Sequence, residues 1–333
     1  MTREKLVVTG ANGFVGRHLV DYLLQQELHL TLIAREARSL PVGWRGNDRI
    51  TVVETGALET ASNLDKALEG ATTVLHLAGL AHVRSTPASA QLFETSNAVA
   101  TKRLADAAAQ AGVRSFVHLS SMATILGGAA SDRIVDDATD EQPYSEYGRT
   151  KRMAEEHVSR LSEKGILAIS LRPPLVIGPD AKGNWKSLQW LAATGLPLPF
   201  ASVRNRRSLI DIGTLVRALH HLAAREWPVS KSGNYCIAGG RCLTLPEIVT
   251  LLRKGMAMQS RLFPFPPSFL RAAARLLNRR QQADALLGNL EIDDRRFREA
   301  FSFNDTQLLD DAIVESAMQF ILSRSSPTTA RAG

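Results

Sequence analysis

The sequence predicts a doubly wound α/β fold, a parallel sheet with helices on both faces, together with a smaller, mostly helical substrate-binding region. Short apolar runs alternate with helical stretches throughout the first half of the 333-residue chain. A glycine-rich loop, "TGANGFVG", joins the first apolar run to the first helical stretch. After Pro173 the character of the sequence changes, because prolines and glycines cluster there and helical patterns then dominate.

The individual elements follow from the spacing of apolar residues. Compact apolar runs predict six strands, at 5–9, 28–34, 49–54, 72–78, 115–121 and 165–173. Apolar residues at helical spacing predict helices, the clearest at 13–26, 92–112 and 147–164. Because strands that alternate with helices are joined by right-handed crossovers, the predicted sheet is parallel.

The predicted organisation has two parts and a tail. Residues 1–172 form the dinucleotide-binding domain, and residues 173–322 form a substrate-binding region interleaved with the last strands. The polar tail 323–333, which ends "SRSSPTTARAG" from Ser323, is predicted to be disordered.

The composition is typical of a soluble globular protein, with 44% hydrophobic and 22% charged residues. No apolar run approaches the length needed to span a bilayer. The first residues enter a strand pattern at once and leave no room for a secretory signal, so we expect a cytoplasmic protein. Cys236 and Cys242 form neither a metal-binding pattern nor a disulfide framework, and no metal is predicted.

The net charge of +7 favours ligands that carry phosphate, although a merely basic surface explains it equally well. No nucleic-acid-binding signature accompanies the charge. The segment 267–280 predicts a helix that is apolar on one side and carries Arg271, Arg275 and Arg279 on the other. An ordinary amphipathic surface helix is the favoured interpretation, and a helix resting on a membrane surface is the alternative.

The glycine loop predicts a dinucleotide site. Gly10 permits a tight turn, Gly13 permits close approach to a pyrophosphate, and Gly16 permits the helix to pack against the strand. The helix that follows presents free N–H groups to the phosphates. At the end of the second strand, Arg35 stands where an acid would bind the ribose of NAD, and this favours NADP(H). Glu36 leaves NAD open as the alternative.

The stretch "SEYGRTKRMAEEH" places Tyr147 and Lys151 four residues apart, on one face of the predicted helix. A nearby ammonium is expected to lower the pKa of the tyrosine and so to prepare it for proton exchange. Tyr144 has no cation four residues further on and is not a candidate.

With "TGANGFVG", "LHLAG", Asn97, "HLSS", "YGRTK" and "LRPPLVIGP" in this order, the chain resembles the extended short-chain dehydrogenase/reductase family. The resemblance implies that Tyr147 is the general acid/base and that Lys151 holds the nicotinamide ribose. It also implies a set of residues that contact an NAD(P) cofactor: Gly10, Asn12, Gly13, Phe14, Val15, Gly16, Arg35, Leu77, Ala78, Gly79, Tyr147 and Lys151.

The family's catalytic serine is implied at the end of the fifth strand, where this chain reads "SSMATILGG", with an apparent extra residue. Counting from the strand gives Ser121, which we predict, with Ser120 and Thr124 as alternatives. The family's 4,6-dehydratases need an acid and a base just past this hydroxyl. Met122 and its neighbours supply no carboxylate, so dehydration is not expected.

At the substrate end, the resemblance implies that Arg207 binds the phosphates of a nucleotide diphosphate, with Asn184 near the diphosphate or sugar. His82 is implied to face the sugar, with a solvated loop histidine as the alternative. Arg204 and Arg206 are possible helpers, and a second phosphate-binding arginine is expected later in the chain, at Arg279 or Arg280.

The segments "LPLPFASVRNRRSL" and "RPPLVIGPDAKGN" resemble bacterial enzymes that act on UDP-N-acetylhexosamines for surface polysaccharide such as lipopolysaccharide. The resulting hypothesis is an NAD(P)-dependent 4-ketoreductase of a UDP-sugar. A UDP-sugar 4-epimerase that retains NAD is the alternative, and a non-catalytic dinucleotide-binding sensor is the alternative of another class. By resemblance, a homodimer through the helices around Ala100 and Ala154 is expected.

Overall fold

The computed structural model describes residues 5–81, 87–125, 133–140, 142–277 and 280–325. Within these residues, eleven strands form three sheets. The strands are β1 (Leu6–Thr9), β2 (Leu30–Ala34), β3 (Ile50–Glu54), β4 (Thr73–His76), β5 (Ser115–Leu119), β6 (Ile134–Val135), β7 (Leu167–Arg172), β8 (Leu175–Ile177), β9 (Leu209–Asp211), β10 (Gly233–Cys236) and β11 (Glu291–Ile292).

The main sheet confirms the predicted doubly wound fold. Its seven strands are all parallel and lie in the order β10-β7-β5-β4-β1-β2-β3. The order reverses between β1 and β4, and in such sheets ligands bind at this point, outside the carboxyl ends of the strands. Two short parallel pairs, β6–β11 and β8–β9, lie outside the main sheet.

Twelve α-helices connect and cover the strands within the described residues. They are α1 (Phe14–Gln25), α2 (Leu64–Leu68), α3 (Pro87–Phe93), α4 (Ala100–Gln110), α5 (Glu146–Ser159), α6 (Asn184–Ala193), α7 (Ile212–Ala223), α8 (Leu245–Gly255), α9 (Pro267–Leu276), α10 (Arg280–Leu287), α11 (Arg295–Phe301) and α12 (Leu309–Ser325).

The two faces of the main sheet have separate cores. On one face, α1, α7 and α11 contribute buried side chains such as Leu19, Leu219 and Phe297. On the other, α2, α4 and α5 contribute Leu68, Leu104 and other buried side chains. Because both faces are covered, the inner strands are nearly continuous runs of buried residues.

A third core belongs to the substrate-binding region, where α6, α8 and α12 pack together around Trp185. The indole of Trp185 donates to Ser316 Oγ at 3.0 Å, which ties α6 to α12. The region is interleaved with the first, because β10 returns from beyond residue 172 to pair with β7. The boundary at 172/173 therefore remains a prediction.

Three local expectations need correction. The predicted helix 92–112 is interrupted by a π-helical segment, Glu94–Val99, between α3 and α4. The predicted helix 147–164 ends at Ser159 and is followed by a short 3₁₀ turn. The tail prediction is wrong for 323–325, because α12 continues to Ser325; residues 326–333 lie outside the described residues.

The small residues expected to mediate a dimer are used within the chain. Ala100 and Ala154 are both buried, and α4 packs directly against α5. The homodimer therefore stays a prediction without support from this feature. No helix in the described ranges has the length and apolar content that crossing a membrane would require.

Candidate active site

The glycine loop lies at the reversal point of the sheet, between β1 and α1. Gly10 has φ +72°, and a Cβ there would come within 2.5 Å of the Ala78 backbone nitrogen. A Cβ on Gly16 would overlap the Gly10 carbonyl oxygen. Gly13 forms the N-cap of α1 without any side-chain cap, so the first N–H groups of the helix remain available to an anion.

This loop borders a cavity of about 470 Å³. Its walls include the segments that follow β1, β2 and β4, among them Asn12, Arg35, Leu77, Ala78 and Gly79. The glycine cradle, the uncapped helix start and the size of the cavity fit a nicotinamide dinucleotide. When bound, such a cofactor supplies or accepts a hydride.

The residues after β2 bear on the choice of dinucleotide. Arg35 is exposed and lines the cavity directly after the strand. Glu36 also lines the cavity, but its carboxylate pairs with Arg38 at 2.7 Å, and this partner holds the pKa of Glu36 below its usual value. Arg35 therefore faces the cavity, whereas Arg38 competes with a bound ligand for the carboxylate of Glu36.

Asn97, known from the sequence only as part of a motif, fixes the loop after β4. Its side-chain oxygen accepts from the Leu80 backbone N–H at 2.7 Å, and its amide nitrogen donates to the Leu80 carbonyl at 3.1 Å. The same nitrogen donates to Thr150 on α5 at 3.1 Å. Asn97 lies within the π-helical segment, a feature that is frequent at functional sites.

Tyr147 lies in the first turn of α5, which begins after the N-cap Ser145. Tyr147 and Ser121 line the same cavity. Burial raises the pKa of Tyr147, and the nearby Ser121 hydroxyl opposes this rise. Tyr147 is therefore a neutral phenol at physiological pH, which is the form that can donate a proton.

The three candidate hydroxyls point in different directions. Ser120 Oγ turns inward and donates to Glu155 Oε1 at 2.5 Å, and Thr124 Oγ1 donates to the Ser121 carbonyl at 2.9 Å. Ser121 is the candidate whose hydroxyl lies beside Tyr147. The geometry thus favours Ser121, whose catalytic role stays a prediction. Met122 is buried in a separate apolar cluster.

The prediction that the Lys151 ammonium lowers the pKa of Tyr147 is wrong, because the pKa of Tyr147 is raised. The ammonium is instead bound by other groups. The Lys151 ammonium donates to the Leu119 carbonyl at 2.6 Å and lies 2.7 Å from His118 Nε2. Since an ammonium has only donors, His118 accepts through Nε2, and its Nδ1–H faces Ser170 Oγ at 3.1 Å. Burial lowers the pKa of Lys151 to about 8 and also keeps His118 neutral by lowering its pKa well below 6.5.

This arrangement predicts a pH dependence. The ammonium form of Lys151 decreases as pH rises through about 8, so affinity for the nicotinamide ribose and turnover should fall on that limb. Replacing His118 with leucine removes an acceptor that favours the ammonium. The alkaline limb should then move down by roughly one pH unit. The pH profile of kcat, and the pKa of Lys151 by NMR with labelled lysine, measure the shift.

His76 offers a matched control for that variant. Its ring stacks on His118 with centroids 5.5 Å apart and is equally buried, but it bonds to Thr9 and Thr101. His76→Leu should leave the alkaline limb in place. An equal displacement in both variants would show that the shift reflects general damage to the core.

A second cavity, of about 640 Å³, continues from the first and shares Gly10, Gly13, Leu77 and Gly79 with it. Its lining includes Ser121, Tyr147 and Lys151 together with several residues of the substrate-binding region. None of the described residues that line it is a carboxylate. The expectation against dehydration stays a prediction.

Arg207 and Asn184 both line this second cavity, and their roles in substrate binding stay predictions. Asn184 is the first residue of α6, and Arg207 extends from the segment before β9. Burial lowers the pKa of Arg207, whose guanidinium donates to the Gly288 carbonyl at 3.0 Å. Over the described ranges, Arg207 forms no ion pair with a carboxylate, so its charge is available to a ligand.

The two possible helpers of Arg207 do not join it. Successive side chains of an extended segment point to opposite sides. Arg206 accordingly faces away and pairs with Glu291 at 2.6 Å. Arg204 is exposed and outside the lining. His82, Arg279 and the side chain of Arg280 lie outside what the structure describes.

Sequence reasoning missed one wall of the second cavity. Lys182, two residues before Asn184, contributes a further cation, and Ala285, Asn289 and Leu290 close the cavity from α10 and the loop after it. Lys182 stands in the quoted motif "RPPLVIGPDAKGN" and so had a local signal in the sequence. The other three carry no local signal, because only the tertiary fold brings them to the site.

Comparison with known proteins shows what the chain is similar to. A sequence profile of the NAD dependent epimerase/dehydratase family matches residues 6–238. The chain is similar to the UDP-glucose 4-epimerase of Vibrio cholerae, with 26% identity over 323 residues and 96% of each protein covered. It is also similar to the ceramide reductase of Caulobacter vibrioides, with 31% identity over 210 residues, 63% of this chain and 58% of that protein.

A solved structure shows the same fold. UDP-N-acetylglucosamine 4-epimerase from Methanobrevibacter ruminantium M1, in complex with UDP-N-acetylmuramic acid, aligns with a TM-score of 0.75. The alignment covers 97% of this chain and 100% of the other, at 20% identity. At this identity the likeness concerns the fold alone.

Proposed function

The chain belongs to the NAD dependent epimerase/dehydratase family, within the extended short-chain dehydrogenases/reductases, and we propose that it is a 4-ketoreductase of a UDP-linked N-acetylhexosamine. The observation that carries the proposal is the juxtaposition of three features in one continuous cleft. The glycine cradle opens into the cavity that holds the Tyr147–Ser121 pair, and Arg207 stands on the same cavity with its charge unpaired.

In the proposed reaction, the glycine loop and Lys151 would hold a nicotinamide dinucleotide, which would supply the hydride for C4 of the sugar. Tyr147 gives its phenolic proton to the sugar oxygen, and Ser121 hydrogen-bonds the same oxygen. A tyrosine held neutral by burial suits this direction, because it begins each turnover with the proton in place. Lys151, held by His118 and Leu119, positions the cofactor ribose.

Two cations favour a nucleotide diphosphate as the substrate handle. Arg207 is partly buried and unpaired, and Lys182 is exposed on the same lining. A guanidinium suits phosphate because its fork can donate two parallel hydrogen bonds. The identity of the base and of the sugar rests on resemblance and on the similar UDP-sugar enzymes.

An epimerase remains the second candidate, favoured by the whole-length similarity to a UDP-glucose 4-epimerase. An epimerase oxidises and then reduces the same carbon, so it keeps its cofactor and needs no external reductant. The reductase interpretation is favoured by Arg35, which faces the first cavity directly after β2, as suits NADP(H). The neighbouring Glu36 pairs with Arg38.

The deciding experiment is to denature the purified protein and identify the nucleotide it releases, and then to assay it. A reductase should be isolated largely empty and should oxidise NADPH only when a 4-keto UDP-N-acetylhexosamine is added. Released NAD, together with interconversion of UDP-N-acetylhexosamines without added cofactor, would replace the proposal by the epimerase. Dinucleotide binding without either reaction would indicate the sensor.

The substrate site gives a prediction with a built-in control. Arg207→Gln should raise KM for the UDP-sugar by about ten- to a hundredfold, the range expected for losing hydrogen bonds to a charged group. The reason is that the phosphates lose their charged donor. Arg206→Gln, the adjacent arginine on the opposite side, should leave KM nearly unchanged. Steady-state kinetics of both variants makes the comparison, and equal effects would argue against phosphate contact by Arg207.

A further inference from the structure

One segment of the substrate-binding region has an unusual charge. Residues 248–283 contain seven arginines and lysines and no aspartate or glutamate. Of the seven, Arg253 is buried, whereas Arg261, Arg271 and Arg275 are exposed. Within the described parts of the chain, these three exposed arginines form no ion pair. Arg261, Arg271 and Arg275 therefore carry positive charge that no described carboxylate neutralises through an ion pair.

Large apolar side chains stand exposed on the same segment. We call them the α9 surface: Phe263, Phe265, Phe269, Leu276 and Leu277. Leu276 is 86% exposed, Leu277 70% and Phe269 63%. Phe265 and Phe269 contact each other edge to face, with ring centroids 6.0 Å apart. Single exposed apolar residues are ordinary, but a cluster of this kind marks an interaction site.

The geometry of α9 places charge and apolar surface side by side. Phe269 and Leu276 are seven residues apart and so share one face of the helix. Arg271 and Arg275, four apart, share a neighbouring face. Leu270 faces inward and packs against the core around Trp185, which anchors the helix to the protein. The outward apolar face is therefore held by the fold and left without a partner in the described chain.

We propose that the α9 surface docks on an anionic lipid bilayer. A helix with aromatic and leucine side chains on one face, arginines beside them and little net hydrophobicity binds in the plane of the interface. The arginines meet anionic headgroups while the apolar side chains enter the acyl boundary. A second copy of the chain is a poorer occupant, because a symmetric contact would bring these arginines against their own copies.

The position of the surface relative to the cleft adds a consequence. The helix α9 packs against α10, and Ala285 on α10 lines the second cavity together with Asn289 and Leu290. Docking through α9 would therefore hold the substrate cleft close to the membrane surface. This proposal does not rest on the proposed reaction, since it is tested by lipid binding alone.

The test is flotation of the full-length protein with vesicles of phosphatidylcholine, either pure or with about one third phosphatidylglycerol, the anionic component that attracts basic residues. We expect binding to the anionic vesicles only, weakening as salt rises. Arg271→Gln with Arg275→Gln should weaken binding by roughly 25-fold, from about fivefold per arginine. Phe269→Ser with Leu276→Ser should weaken it at least tenfold, through loss of buried apolar area.

Matched variants control for general loss of charge and apolar surface. Arg160→Gln with Arg225→Gln removes two exposed arginines elsewhere, and Val42→Ser with Leu308→Ser removes two exposed apolar side chains. Both should bind like the unaltered protein. Failure to bind anionic vesicles, equal binding to neutral vesicles, or equal loss in the controls would overturn the proposal. A dimer that Phe269→Ser with Leu276→Ser splits, without lipid binding, would overturn it in favour of self-association.

Discussion

Replacing Tyr147 with phenylalanine is expected to lower kcat by about two to four orders of magnitude, the range typical of a lost general acid. The ring stays and the hydroxyl goes, so the packing of Tyr147 near Phe93 should be kept. Affinity for the dinucleotide should be nearly unchanged, because the glycine loop and Lys151 are untouched. Turnover of a 4-keto UDP-sugar and binding of NADPH, measured on the same preparation, separate the two effects.

Tyr144 supplies the control for this variant. It stands three residues earlier in the same segment, is 80% exposed and does not line the cleft. Tyr144→Phe should therefore turn over at the unaltered rate. Unchanged turnover in Tyr147→Phe would remove the tyrosine from the reaction, and with it the assignment of the cleft as an active site. Loss of dinucleotide binding in that variant would point to a structural role.

The Tyr147–Lys151 pair also shows where prediction from sequence stops. Helical spacing correctly placed both residues on one face of α5. It could not tell where the ammonium points, because the acceptors belong to β5, more than thirty positions away in the chain. His118 and the Leu119 carbonyl bind the Lys151 ammonium. As a result, burial and Ser121 dominate the pKa of Tyr147.

The glycine loop could be predicted from the sequence, whereas the wall of the second cavity that contains Asn289 and Leu290 could not. Gly10 and Gly16 were predictable because their reasons are local: a left-handed turn and a helix that touches the loop just before it. Asn289 and Leu290 were not, because they lie beside β11, which pairs with a strand far away in the chain, β6. Ser121 lay between these cases, since counting along the chain left three hydroxyls. The inward direction of Ser120 favours Ser121, whose role stays a prediction.

Ser120 donates to Glu155, which forms a buried ion pair with Arg172 next to the active site. The sequence did not reveal this pair. Glu155 and Arg172 are 2% and 1% exposed, and the carboxylate and guanidinium meet at 2.6 and 2.9 Å. Glu155 lies one helical turn beyond Lys151, so Tyr147, Lys151 and Glu155 share a single face of α5. The pair joins α5 to the end of β7 directly behind Ser120 and Ser121.

Glu155→Ala is therefore expected to destabilise the fold by about 3–5 kcal/mol, because it removes the carboxylate of a buried ion pair while the Arg172 guanidinium stays buried. Chemical denaturation measures this loss. Glu156→Ala, the adjacent but exposed carboxylate on the same helix, should cost less than about 1 kcal/mol. If the cost of Glu155→Ala comes from the charge that stays buried, replacing Arg172 with leucine in the same chain should recover part of it. If the cost comes from lost packing, replacing Arg172 with leucine should lower the free energy of unfolding further. The ion pair itself would then not be what holds α5 against β7.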